Sequence, residues 1–149
     1  MIRTDAFQEV GGFTEAMIAG EEPDLCFRLR QAGWKIFRLD AEMTLHDAAM
    51  SRVTQWWQRS VRSGYATAEA YHRRGKSEPD FKRQVISNFA WSLPVAWPFW
   101  PILWLRVKRR KGALYASHIV LGKVPHLVGQ ARFWWQNWRG QAGTLIEYK

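Results

Sequence analysis

The sequence predicts a mixed α/β unit at the N-terminus, followed by a mostly α-helical, Trp-rich region that meets membranes. Three observations lead there. Residues 23–32 repeat apolar side chains at helical spacing, stop at Gly33, and pass into the β-rich run Trp34–Leu39. Charge divides sharply along the chain. Residues 1–48 hold five basic and nine acidic residues, a net of −4; residues 49–149 hold 17 and four, a net of +13. Finally, Phe89–Leu105 runs 17 residues without a charge and is followed by Arg106, Lys108, Arg109, Arg110 and Lys111.

A chain of 149 residues suffices for one ordinary domain. Apolar residues make up 47%, which excludes wholesale disorder. A single cysteine, Cys26, excludes an internal disulfide framework and a multi-cysteine zinc or iron–sulfur site. Trp is the compositional outlier, with 10 residues. Trp combined with basic charge fits a membrane interface or a nucleic acid. No apolar leader pattern follows Met1, and the chain is expected to open inside a larger fold.

In order along the chain, residues 1–20 read as a short helix, a turn at Gly11-Gly12 and a loop. Pro23 suits the first position of the next helix, where its missing N–H costs nothing. Leu25, Leu29 and Ala32 fall on one face of it. Short strands are expected at Trp34–Leu39 and Met43–His46. Residues 51–74 read as a helix with the stripe Val53, Trp56, Trp57, Ser60, Val61 and Gly64. A second helix is expected from Phe81 to about Trp91. The uncharged run is just long enough for a transmembrane helix, with Trp97, Trp100 and Trp104 on one face. Its three prolines would break a helix in water but are tolerated in a membrane when neighbours re-satisfy the backbone; an interfacial or re-entrant segment, favoured by the Trp enrichment, stands equally with a span, and a buried helix or Pro-rich loop of a larger core is the third reading. Residues 113–149, with Phe133, Trp134, Trp135 and Trp138 beside cations, suggest a further interfacial helix.

The stretch Gly11–His46 carries the chemistry. Glu21 and Glu22 stand at a helix N-terminus, where the dipole favours the ionised carboxylate. This is either an ordinary acidic first turn or a general base. The order Gly11-Gly12-Phe13-Thr14-Glu15, Gly20-Glu21-Glu22-Pro23-Asp24-Leu25, Arg28-Leu29, Gly33-Trp34, Ile36 and His46 resembles the C-terminal half of the catalytic domain in family 2 glycosyltransferases of the GT-A fold. The likeness covers about 45 residues with its spacing intact. It implies that Glu22, one methylene longer than the family's Asp, or its neighbour Glu21, deprotonates the acceptor hydroxyl in an inverting transfer from a nucleotide-sugar donor to a glycan or lipid-linked acceptor. It places Gly12 and Phe13 beside the acceptor and Asp24 in the same motif, where Asp24 and Arg28 are also spaced to pair on the helix. His46 falls where some such enzymes bind metal or diphosphate; it is otherwise a structural histidine. Gln55-Trp56-Trp57-Gln58-Arg59 lies near the Gln-x-x-Arg-Trp of processive relatives without matching it; Trp56 and Arg59 are retained as substrate-binding candidates.

The same resemblance implies Mg²⁺ or Mn²⁺ held by an Asp-x-Asp, which this sequence does not contain. The chain is therefore expected to be an α/β fragment, inactive alone. It would comprise the C-terminal part of a GT-A domain (1–50), a helical region (51–88), an apolar membrane segment (89–105) and a basic, Trp-rich tail (106–149). Anionic lipid is the expected further partner, with the active site on the cytoplasmic side of the membrane and nucleic acid disfavoured. The rival reading is a non-catalytic basic module for membrane or nucleic acid.

Overall fold

Two helices meet here at backbone contact, and a third long helix packs against both. The computed structural model describes residues 1–14, 17, 19–37, 40, 52–75 and 77–141. Among the described residues the order is α1 (Thr4–Glu9), α2 (Glu21–Gln31), α3 (Val53–Arg74), α4 (Pro79–Ser92), a 3₁₀ segment (Pro94–Phe99), α5 (Trp100–Lys111), α6 (Ala113–Leu121) and α7 (Lys123–Trp138). Small side chains at Ser60, Gly64 and Ala68 recur every four residues and line one buried face of α3. Pro125, Gly129 and Phe133 answer from α7. A Cβ at Gly64 would lie 2.1 Å from the His126 carbonyl oxygen, and one at Gly129 would lie 2.0 Å from that of Val61. Tyr65, Ala68 and Phe133 close the core beside this crossing, the two rings edge to face at 5.3 Å. Helix α4 is tied to α7 by Lys123, whose Nζ donates to Ser87 Oγ and Asn88 Oδ1, each at 3.0 Å.

The N-terminal unit has its own small core. Ala6, Leu25 and Leu29 are buried, with Phe7, Val10 and Trp34 packed around them. The chain reverses at Gly11 and Gly12, both left-handed at φ 75° and 68°. Helix α2 begins two residues earlier than the proline suggested. Gly20, at φ 89°, caps it, and Pro23 sits third, still among the N–H positions that lack an intrahelical partner.

The expected α/β fragment is corrected to an all-helical architecture: no strand occurs among the described residues. Residues 34–37 have no regular structure. The Trp34 backbone N–H closes onto the Leu29 carbonyl at 2.9 Å, and its indole donates to Glu9 Oε2. Trp34 thus seals α2 and the N-terminal core, while Lys35, Ile36 and Phe37 are exposed and no strand lies beside them among the described residues. The second expected strand, Met43–His46, lies outside the described residues.

The transmembrane helix is corrected too. No helix among the described residues is long and apolar enough to cross a membrane. The uncharged run is divided among the end of α4, the 3₁₀ segment and α5. Pro94 and Pro101 each open a new segment and Pro98 lies inside the tighter turn, because each proline lacks an N–H and its ring crowds the preceding carbonyls. The C-terminal segment also departs from a peripheral role. Phe133 is buried in the core, while Trp135 and Trp138 remain exposed.

Candidate functional site

The motif residues converge on one ion pair, a half-buried arginine on a buried aspartate. Arg28 Nε donates to Asp24 Oδ2 at 2.9 Å. Its Nη1 donates to the Val10 carbonyl, and its Nη2 to the Gly12 carbonyl at 2.6 Å and to Thr14 Oγ1 at 3.3 Å. Thr14 Oγ1 in turn donates to the same Asp24 oxygen at 3.0 Å. One guanidinium therefore fastens the Gly-Gly turn to the first turns of α2. Charge-assisted bonds to a planar five-donor group suit this, since two carbonyls and a carboxylate must be reached at once.

A second arginine ties this assembly to α3. Arg74 is buried, and its Nη1 donates to the Pro23 carbonyl at 3.0 Å. The same nitrogen lies 4.0 Å from Asp24 Oδ1, and Nε lies 3.5 Å from Glu78 Oε2. The guanidinium is flanked by the rings of Phe27 and Phe81, at 5.4 and 5.1 Å. One turn back along α3, Glu69 is buried and pairs with Arg73 at 3.0 Å. Burial pushes the Glu69 carboxyl above its usual range; Arg73 opposes this, and the charges of Asp24 and Glu21 add to it.

Against this frame the sequence-chosen residues separate into groups. Glu22 is exposed and Glu21 half-buried on the first turn of α2, so both carboxylates are presented at its N-terminus. Asp24 is consumed by the clamp. Gly12 is buried, and its carbonyl serves Arg28, whereas Phe13 is exposed and packs edge-on against Phe7 at 5.5 Å. Trp56 and Arg59 stand on the first two turns of α3. Trp56 donates through its indole to His118 Nδ1 at 2.8 Å. The N-terminal end of α2 meets α3 further on: a Cβ at Gly20 would lie 4.0 Å from that of Ala66. Ten residues of helix separate Trp56 from Ala66, about 15 Å at 1.5 Å per residue. Trp56 is thus not gathered with Glu21 and Glu22, and Arg59 is exposed one turn nearer to Ala66. His46 lies outside the described residues.

Sequence reasoning missed Arg74 and Glu69. The signal available was the i, i+4 spacing of Glu69 and Arg73 within an otherwise apolar stretch of α3. It announces a paired charge but not its burial beneath α2.

No group of three or more His, Cys, Asp or Glu side chains that could hold a metal ion occurs among the described residues. The Asp24 carboxylate is already occupied by arginine and threonine. The described residues therefore do not fit the Mg²⁺ or Mn²⁺ implied by the resemblance.

No family model matches the chain, and no solved structure matches it. Curated sequences do. Pre-mycofactocin glycosyltransferases from two strains of Mycobacterium tuberculosis (CDC 1551 / Oshkosh and ATCC 25618 / H37Rv) are each 42% identical over 45 residues. Part of this chain is similar to a glycosyltransferase. The similarity covers 30% of the chain and spans 10% of the relatives' length.

Proposed function

We propose that this chain contributes the acceptor-activating turn of an inverting glycosyltransferase. The observation that carries the reading is the 42% identity over 45 residues to a glycosyltransferase. The geometry is consistent with a division of labour within the motif. Asp24 is spent on holding the fold, which leaves Glu22, exposed at the start of α2, as the group able to meet a substrate. A hydroxyl is a poor nucleophile near neutral pH. Glu22 takes its proton as oxygen bonds to the anomeric carbon and the bond to the nucleotide diphosphate breaks. Glu21, half-buried beside it, acts as its neighbour rather than as the base. The donor is a nucleotide sugar and the acceptor a glycan or lipid-linked glycan.

The test is Glu22→Gln in the longest natural protein that contains this chain. Removing the base while keeping the shape should lower kcat by about 10²–10⁴-fold with donor affinity unchanged. Loss of activity in Glu21→Gln alone would move the role by one residue. Full activity in both would end the reading.

A membrane-surface role has its own observation. Val95, Trp97, Phe99, Ile102 and Leu105 are all exposed across the 3₁₀ segment and early α5, Val95 at 75% and Ile102 at 63%. The last turn of α5 carries Lys108, Arg109, Arg110 and Lys111. An apolar tip with a cationic collar suits the surface of an anionic bilayer, with Trp97 at headgroup level and the active site on the cytoplasmic face.

A further inference from the structure

A cavity of about 740 Å³ opens where the end of α3, the start of α4 and the last turns of α7 meet. Its size is that of a small-molecule site. Arg73, Arg74 and Lys82 line it; no Asp or Glu is among its described lining residues, and Glu78 stands behind it, 3.5 Å from Arg74 Nε. Tyr71, His72 and Trp134 form its aromatic side; the Trp134 ring stands edge-on to His72 at 5.7 Å and to Tyr71 at 6.4 Å. The two arginines are fixed in place. Arg73 spends Nε and Nη2 on a single oxygen of Glu69, at 3.1 and 3.0 Å. Arg74 is buried and held through Nη1 by the Pro23 carbonyl. Lys82 is exposed on α4. Preorganised cations lose little entropy on meeting an anion, and an aromatic wall beside them offers a face to a ring.

We propose that this cavity is a binding site for a ring-bearing phosphate ester, its phosphate drawn by Lys82 and Arg73 and its ring packed on Trp134. The proposal stands on the cavity alone and does not require the assignment of Glu22. The ring requirement separates it from simple attraction of anions to a chain of net charge +9.

The experiment is calorimetric titration of the whole 149-residue chain with phenyl phosphate, inorganic phosphate and phenol. Phenyl phosphate should bind saturably and more tightly than either part. Lys82→Glu changes an exposed side chain and should weaken phenyl phosphate by about tenfold or more. Lys111→Glu, the same charge change at the far end of α5, should leave it within about twofold. Trp134→Leu should reduce phenyl phosphate to the affinity of inorganic phosphate. Circular dichroism checks that each variant retains the helical content of the parent. The proposal is overturned if phenyl phosphate fails to saturate. It is equally overturned if Lys82→Glu and Lys111→Glu weaken binding alike, or if Trp134→Leu changes nothing.

Discussion

Replacing Gly129 by Ala tests whether the α3–α7 crossing holds the helical cluster together. The substitution has two opposing effects. In a helix interior Ala is favoured over Gly by about 1 kcal/mol. Against this, the new Cβ would lie 2.0 Å from the Val61 carbonyl oxygen and 2.6 Å from the Tyr65 nitrogen. Real Cβ atoms essentially never approach within 3.0 Å, so the helices must part by about 1 Å. The obstructing atoms are backbone and cannot rotate aside. Separation would also loosen the Tyr65–Phe133 contact and the bond from Tyr65 Oη to Gln136 Oε1. Overpacking in a core costs about 1–3 kcal/mol, and this contact belongs at the upper end. The net loss expected is about 1–2 kcal/mol, read as a lower midpoint of urea unfolding followed by circular dichroism. Gly64→Ala meets the His126 backbone at 2.1 Å and should behave similarly. The double variant should lose less than the sum, because helices already parted accommodate the second methyl. A Gly129→Ala protein as stable as the parent, or more so, would refute the backbone-contact account.

Arg28→Met should destabilise by about 2–4 kcal/mol, because it strands Asp24 and removes the donor to the Val10 and Gly12 carbonyls; hydrogen exchange should accelerate first at the Gly-Gly turn, and unchanged protection there would contradict the clamp. His126 is held down at about 4 by burial first and by the charges of Lys123 and His118 after it. Folding thus favours its neutral form, so the stability it contributes is full above about 6.5 and is lost as pH falls toward 4. That loss is at most about 3.4 kcal/mol at 1.36 kcal/mol per unit, and urea midpoints measured down the pH scale should fall less steeply in His126→Gln. Flotation with anionic vesicles should retain part of the protein in roughly 0.5 M salt, where screening leaves only the apolar tip to act; Val95→Asp combined with Ile102→Asp should abolish that remainder, and protein confined to the bottom of the gradient at low salt would end the membrane reading.

Much of the local structure was written in the sequence. Gly11-Gly12 and Gly33 announced reversals because only a residue without Cβ enters the left-handed region cheaply, and all three do so. The spacing of Asp24 and Arg28 announced their ion pair, since positions four apart on a helix are neighbours. Helix α3 was legible to within two residues, because its small and apolar stripe keeps one period across its length. The prolines at 94, 98 and 101 carried the choice between one long helix and several short ones, and local sterics decided for the latter. Other features required the tertiary structure. A β-rich run becomes a strand only when another strand supplies its hydrogen bonds; Trp34 instead closes onto α2 and Glu9. Gly64 and Gly129 look like weak points of their helices when read singly. They become the contact itself only when each faces the backbone of the other helix, 65 positions apart in the chain. Arg74 shows the same limit. A helix-terminal arginine reads as solvated, and only the arrival of α2 over the end of α3 turns it into a buried link between Pro23, Asp24 and Glu78. Sequence pattern reports periods within one element; which element arrives opposite, and so what is buried, is settled by packing.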